Sequence, residues 1–527
     1  MEKILNKELA FAWDAVPSQT TTTERSNKGG ASSSTCMQSK TILDLAHESL
    51  TLASLPSSLD NEEVCREGEI NKRGKTKQFV KRVMKRLLLT QGTDIRGRKA
   101  SDAAFNFAMA GITDLTLFES LVYITRMELV RTGHRSSTKV KDVLQMVEKL
   151  AASGVQGLEA EKLFDVAASC LEKKRWRDSS GIINLLREHR FDFSDDRPLL
   201  WLWRFSARQD KIRTVPFPSS RNSGQSEDTR WMDTFDDPTR PLIVDVGCGM
   251  GVSLLGLASM SKPESTNVQR TVDCTCPSST VQGSIDKKKD STTIQTPPRH
   301  RMFDEDIVDD WAECNFVGCE LNPLFVGYAN GMARRWGING KCQFLVSDAN
   351  EFIDMIHRTY KGPISLVMIQ FPTPFSLQKD EHDQRGNSHN SGNSQLPSNS
   401  LSGFMVTEAL LQSVQCLLQR SDNGLLLLQS NCEDVAVAMR DIATRSGRLQ
   451  ILDVIDTVTA DDTKVDISNL PQRTREWIDL GGDRAVGRGW SKKKLLPRRG
   501  RTETEVACIS KGTPIHRCIM QARPPPS

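Results

Sequence analysis

At 527 residues the chain exceeds one ordinary domain, and a length prior of about 150 residues per domain suggests about two to four units. A hydrophobic share of 38% is low for a chain folded throughout, so polar, unpacked stretches are expected among those units. The net charge of +4 excludes a uniformly polycationic chain, and any nucleic-acid surface must then come from local clusters of basic residues. No run of 18 apolar residues occurs, which argues against a membrane span.

Thirteen cysteines are scattered without a Cys-x-x-Cys pair. That spacing speaks against a zinc site and for packed, reduced thiols in an intracellular compartment. The opening "MEKILNKELAFAWDAVP" carries Glu2, Glu8 and Asp14, unlike an acid-poor transit peptide. The Ser/Thr-rich tract after it leaves organelle, nucleus and cytoplasm unresolved.

Residues 1–70 read as a flexible polar tail. A helical domain is expected over 71–215, opening with "KTKQFVKRVMKRLLL", which sets Phe79, Val80, Val83, Met84, Leu87 and Leu88 on one helical face and basic residues on the other. Eleven basic residues and one acid, Asp94, lie between Lys72 and Lys99. Such a stripe is either a solvated helix face or a phosphate-contacting surface. Helical periods continue in "LFESLVYITRMELV", "VKDVLQMVEKLAA" and "EKLFDVAASCLEKKRWRDSSGIINLLREHRFDFSDD". The last has the length of a helix-turn-helix repeat and faintly resembles a pentatricopeptide-type repeat, a family that reads single-stranded RNA; a plain helical bundle is the alternative. Residues 216–239 read as a linker by composition.

From residue 240 strands and helices alternate. Strands are expected at "LIVDV", "NFVGCE", "CQFLVS", "ISLVMIQF" and "GLLLLQS", with helices such as "NPLFVGYANGMARRWG" and "FMVTEALLQSVQCLLQ" between them. The alternation predicts an α/β domain over 240–522, a doubly wound Rossmann-like sheet with ligands at the carboxyl ends of its strands. Two polar tracts, 261–301 and 378–400, read as surface insertions into it.

The first strand runs into Gly247, Gly249 and Gly251, a spacing different from the dinucleotide pattern G-x-G-x-x-G. Glycines let the backbone pass close to a ligand, and the helix that follows can receive an anionic group. Acids close the next two strands, Glu320 and Asp348. An acid after the second strand can accept both ribose hydroxyls, and one after the third can approach an adenine amino group. The pattern fits an adenosine-bearing ligand better than a free phosphate.

The segments "DVGCGMG", "GCELN", "SDANEF", "IQFPTPF" and "RTETE" resemble, in order, the motifs of the tRNA (guanine-N7)-methyltransferases. The first three resemble class I methyltransferases at large; the last two carry the specific likeness. That resemblance implies a class I methyltransferase domain, which here follows the all-α domain read above, with S-adenosyl-L-methionine as cofactor and tRNA as substrate, methylated on a guanine N7 in the variable loop. It also implies Asp245, Glu320 and Asp348 as cofactor-binding acids beside the glycine turn, and Arg501, Thr502 and Glu505 on the substrate side. Some eukaryotic members of that family need a partner subunit, so the resemblance leaves room for one.

Three positions depart from the family pattern. Thr373 stands where the family has an aspartate between two prolines, Leu377 replaces a basic residue, and Asn431 replaces an aspartate after the fifth strand. Thr373 and Asn431 are the candidate catalytic residues; the alternatives are a turn residue for Thr373 and a helix cap for Asn431. Methylation of another RNA nitrogen, or a non-catalytic RNA-binding subunit, are the competing functions. Eight basic residues from Arg484 to Arg501, with no acid among them, read either as a tRNA-backbone contact or as a solvated loop.

Overall fold

The computed structural model describes residues 97–174, 180–209, 230–260, 308, 310–374, 404–421, 423–445, 447–454, 456–463 and 470–523. The expected tail, the basic amphipathic segment Phe79–Leu88 and the insertions 261–301 and 378–400 lie outside the described residues.

Among the described residues six helices come first: α1 (Gly97–Met109), α2 (Leu115–Thr132), α3 (Val140–Ala152), α4 (Leu158–Lys173), α5 (Ser180–Arg187) and α6 (Asp196–Gln209). Asp114 caps α2 by accepting the Leu117 amide at 2.9 Å, leaving one fewer orphan donor at the helix start. The helix pair expected from the repeat-like segment is α4 and α5, and α4 also packs on α2 and α3. A short helix, α7 (Arg230–Thr234), ends the stretch read as a linker. Its Trp231 stacks on Phe235, and the indole N–H of Trp231 donates to Thr359 at 2.7 Å.

Then come β1 (Leu242–Val246), α8 (Val252–Ala258), β2 (Asn315–Glu320), α9 (Pro323–Arg335), β3 (Cys342–Val346), α10 (Ala349–Thr359), β4 (Ile364–Gln370), α11 (Glu408–Leu418) and β5 (Leu425–Ser430). The chain closes with α12 (Glu433–Arg445), β6 (Leu449–Ile451), α13 (Gln472–Asp479), α14 (Glu503–Lys511) and β7 (His516–Ala522). All five expected strands form. The sheet order is β3-β2-β1-β4-β5-β7-β6; β7 runs antiparallel to both neighbours, and the β1–β5 pairs are parallel.

Near-continuous apolar strands mean a sheet buried on both faces, and period two divides them between two cores. Ile243, Phe316, Met368 and Leu427 enter one core, with α1–α6, α8 and α9. Val244, Val317, Val367 and Leu428 enter the other, with α7, α10, α11 and α12.

The helical layer meets the sheet domain through α9. Gly111 has φ +70°, and a Cβ there would lie 2.7 Å from the carbonyl oxygen of Gly327. Beside that crossing, the Tyr328 hydroxyl donates to Ala152 at 2.7 Å and the Trp336 indole to Gly154 at 3.0 Å. The buried Arg335 guanidinium donates to the carbonyls of Ile112 and Ser153 and lies over the Phe118 ring. Burial holds its pKa below the ordinary arginine value, at about 10.

Backbone contact at Gly111 separates two glycine substitutions. Gly447 shares the left-handed conformation, φ +68°, with nothing near its missing Cβ, so Gly447→Ala costs about 1–2 kcal/mol of strain. Gly111→Ala adds a clash with backbone and should cost about 3 kcal/mol or more. Urea unfolding of both variants checks this, and equal losses would refute a tight crossing of the helical layer on α9.

Candidate active site

The turn after β1 is tied to the neighbouring strand: the amides of Gly247 and Cys248 both donate to the Cys319 carbonyl, at 3.0 and 2.9 Å. Gly247, Gly249 and Gly251 all take positive φ, 74°, 54° and 70°. A Cβ at Gly251 would strike the Phe344 ring at 2.4 Å, whereas at Gly249 the nearest atom is Glu503 Oε1, 3.5 Å away. Half-buried Gly249 thus faces Glu503, the first residue of α14.

Carboxylates of the first two strands lie at this turn, beside Glu503. Glu320, at the end of β2, accepts the Gly249 amide at 3.1 Å with one oxygen and the Asn322 amide at 3.0 Å with the other. Asp245, on β1, is 1% exposed. Gln370 donates to its Oδ2 over a long 3.5 Å, and its Oδ1 has no partner among the described residues. Burial pushes its pKa from 3.8 up to about 7, and the charges of Glu503 and Glu320 add to that against the hydrogen bond from Gln370. Asp348, after β3, is exposed and caps α10 through the Asn350 amide at 2.8 Å.

Neighbouring strand ends carry the other predicted residues. Phe371 follows β4 with φ +50°, an uncommon conformation for a bulky side chain, held by its amide's bond to the Gln429 carbonyl at 2.7 Å. Thr373 is exposed two residues on. Asn431 leaves the adjacent β5; α12 starts two residues later, at Glu433. Leu377 lies outside the described residues.

The C-terminal motif is folded over this edge. Thr502 caps α14 by accepting the Glu505 amide at 3.0 Å. Glu505 forms an ion pair with Arg517 of β7 at 2.8 Å, both buried, and Arg517 also donates to Gln429 at 3.0 Å. Arg501 pairs with Asp196 of α6 at 3.1 Å. The structure therefore gathers Asp245, Gly249 and Glu320 with Glu503, while Thr502 and Glu505 fix the helix that carries Glu503.

Sequence reasoning missed Glu503, Gln370, Gln429 and Arg517. Gln370 and Gln429 carried a signal: each is the first polar side chain after an apolar strand, and the two stand opposite each other across β4 and β5. Glu503 carried none beyond its place inside the motif.

Of the eight basic residues from Arg484 to Arg501, five have acidic partners within 4 Å: Arg484 with Glu433, Arg488 with Asp453, Lys492 with Asp462, Arg499 with Asp192 and Arg501 with Asp196. Lys494 and Arg498 are exposed.

No family model matches the chain, and no curated protein does either. Solved structures do. An O-methyltransferase from a trans-AT polyketide synthase of Brevibacillus brevis, in complex with S-adenosyl-L-homocysteine, is 9% identical over 62% of this chain and 79% of its own, with a TM-score of 0.23. Geranyl diphosphate C-methyltransferase from Streptomyces coelicolor is 11% identical over 62% and 83%, with a TM-score of 0.22. A type I restriction-modification methyltransferase subunit from Streptococcus thermophilus is 11% identical over 80% and 81%, with a TM-score of 0.23. Likeness at that level says nothing about substrate or residues. The fold rests on the strand order itself, a mixed α/β sheet with β7 reversed.

A carboxyl held above its unfolded value binds more protons folded than unfolded, so it erodes stability as pH rises from about 4 to about 7. Asp245→Asn removes that penalty. Its urea midpoint should exceed that of the unsubstituted protein at pH 8 and approach it at pH 4; parallel profiles would show that Asp245 is not held protonated.

Proposed function

We propose that this protein transfers a methyl group from S-adenosyl-L-methionine to N7 of a guanine in tRNA, in the variable loop. The observation that carries the reading is the convergence of Asp245, Glu320 and Glu503 on the glycine turn. A buried Asp245 carboxylate oxygen without a partner among the described residues, beside a turn with no side chain at Gly249, suits a cationic ligand that lies along the turn. Asp245 and Glu320, with Asp348 beyond them, would hold the amino-acid, ribose and adenine parts of that cofactor. When bound, it supplies an electrophilic methyl on a sulfonium.

Guanine N7 presents a lone pair and no proton, so the chain need not provide a general base; its task is alignment and exclusion of water. Thr373 and Asn431 lie on adjoining strand ends and can donate and accept hydrogen bonds to a base. The turn at Phe371, fixed by its bond to Gln429, sets the place of Thr373. The exposed Lys494 and Arg498 lie just before the motif helix and suit a phosphate backbone.

Purified protein should methylate unmodified tRNA, and borohydride and aniline cleavage should map the product to a variable-loop guanine. Thr373→Asp should raise the rate, since a fixed negative charge would stabilise the cationic product as it forms. Methylation without cleavage would move the reaction to another nitrogen. No transfer, with cofactor bound and any partner supplied, would leave an RNA-binding subunit.

Replacing Lys494 and Arg498 together should flatten the salt dependence of tRNA binding by about 0.7–0.9 log units per lost contact. Replacing Lys492 and Arg499, which have protein counterions, should change the slope less. Equal slopes in both variants would return the cluster to a solvated loop.

A further inference from the structure

One end of the helical layer is basic. The end of α2, the loop from Gly133 to Lys139 and the end of α4 meet there. A Cβ on Gly133 would strike the Cys170 sulfur, so α2 closes on α4 at this point, and Lys174 donates to the Arg135 carbonyl at 2.9 Å. The Thr138 hydroxyl folds the loop back by donating to the Thr132 carbonyl at 2.9 Å, and α3 starts next to it, at Val140.

Arg135, Lys139, Lys141 and Lys173 are exposed at this end, and Lys174 is half-buried. None of the five has an acidic partner within 4 Å among the described residues. The acids beside them are committed elsewhere: Glu128 to Arg131 at 2.5 Å, Asp142 to Arg98 at 3.8 Å and Glu172 to Arg187 at 2.9 Å. Helix electrostatics account for only part of the cluster. Lys173 and Lys174 stand at a helix C-terminus, where a cation is favoured, but Lys139 and Lys141 stand at the start of α3, where the dipole opposes them. Like charges gathered on one surface also repel each other, and a polyanion relieves that repulsion.

The side chains between the cations point to the kind of polyanion. Ser136 and Ser137 are exposed in the loop, and hydroxyls set among Lys and Arg are common donors to phosphate oxygens. The loop from Gly133 to Lys139 holds no apolar side chain to enter a bilayer and no ring on which a base could stack. We propose that this end of the helical layer binds the phosphate backbone of the RNA substrate, a contact separate from Lys494 and Arg498; that the RNA is a tRNA rests on the reading above. Contacts of this kind hold and steer a strand without reading its sequence. The all-α layer then supplies affinity to a sheet domain that supplies the chemistry.

Binding of the full chain to unmodified tRNA and to a single-stranded RNA of unrelated sequence, measured over a series of salt concentrations, tests this. The variant Arg135→Gln, Lys139→Gln, Lys141→Gln, Lys173→Gln should lose at least two contacts, flattening the salt slope by about 1.4–1.8 log units for both RNAs. Lys174 is kept because it holds the loop. The charge-preserving variant Arg135→Lys, Lys139→Arg, Lys141→Arg, Lys173→Arg should keep the slope. If the Gln variant fails to fold, Lys141→Gln alone should flatten the slope by about 0.7–0.9 log units. An unchanged slope in the Gln variants, an equal loss in the charge-preserving one, or a loss confined to one RNA overturns the proposal. If the unsubstituted chain binds neither RNA, the tRNA reading itself fails and this contact with it. Phosphatidylserine vesicles bound by the unsubstituted chain and released by the Gln variant, with the RNA slope unchanged, would give the surface to a membrane instead.

Discussion

The site depends on one backbone contact between segments about 240 residues apart. Gly256, inside α8, has the carbonyl oxygen of Arg499 1.8 Å from where its Cβ would be, so no other residue fits there without moving the chain. Next to it, the Ser253 hydroxyl donates to the Gly500 carbonyl at 2.7 Å. These contacts seat the loop before α14 on the helix that follows the glycine turn, and α14 must then begin above Gly249. The helical layer secures the same loop from the other side, through Arg501 with Asp196 and Arg499 with Asp192, and through Lys511 over the Trp203 ring at 4.0 Å. A layer that looks peripheral in the chain order therefore helps to set the position of Glu503.

Charge is distributed unevenly along the carboxyl edge of the sheet. At β1 and β2 carboxylates crowd the turn, and Asp245 is driven towards its protonated form. At β5 and β7 each acid has its arginine: Glu433 with Arg484, Asp434 with Arg473 and Glu505 with Arg517. Burying paired charges contributes little net stability, but leaving one unpaired is costly. The second group is thus a charge-paired frame, while at the first Asp245 has a buried carboxylate oxygen without a partner among the described residues. His516, set opposite Ser430 on β7, belongs to the frame: burial holds its pKa below the ordinary histidine value and favours the neutral ring.

Strands β1 to β5 were legible because burial on both faces leaves a continuous apolar run that ends at a polar residue. The last two strands were not. β6 has only three residues, and β7, "HRCIMQA", opens with two basic groups that reach the site edge, so neither shows a clean pattern. In the site, the strand-end acids could be read because each follows its strand at once. Glu503 could not, since which of two acids in "RTETE" faces the turn is decided by the contact at Gly256. The pairing within the basic cluster was illegible for a like reason: its counterions Asp192, Asp196, Asp453 and Asp462 are remote in sequence and meet it only in the fold.

On the methyl-transfer reading, the charge distribution also bears on turnover. Positive charge passes from the donor to the acceptor base in the reaction, so its place shifts from the carboxylate-lined turn towards Thr373 and Asn431, which are neutral. The carboxylates at Gly249 then favour the charged donor over the spent one, which speeds exchange at that end. They also stabilise the ground state, and binding energy spent there does not lower the barrier. At the other end, uncharged side chains neither assist the developing cation nor retain the methylated base. On that reading a chain built this way would give up rate in the transfer step and gain release on both sides.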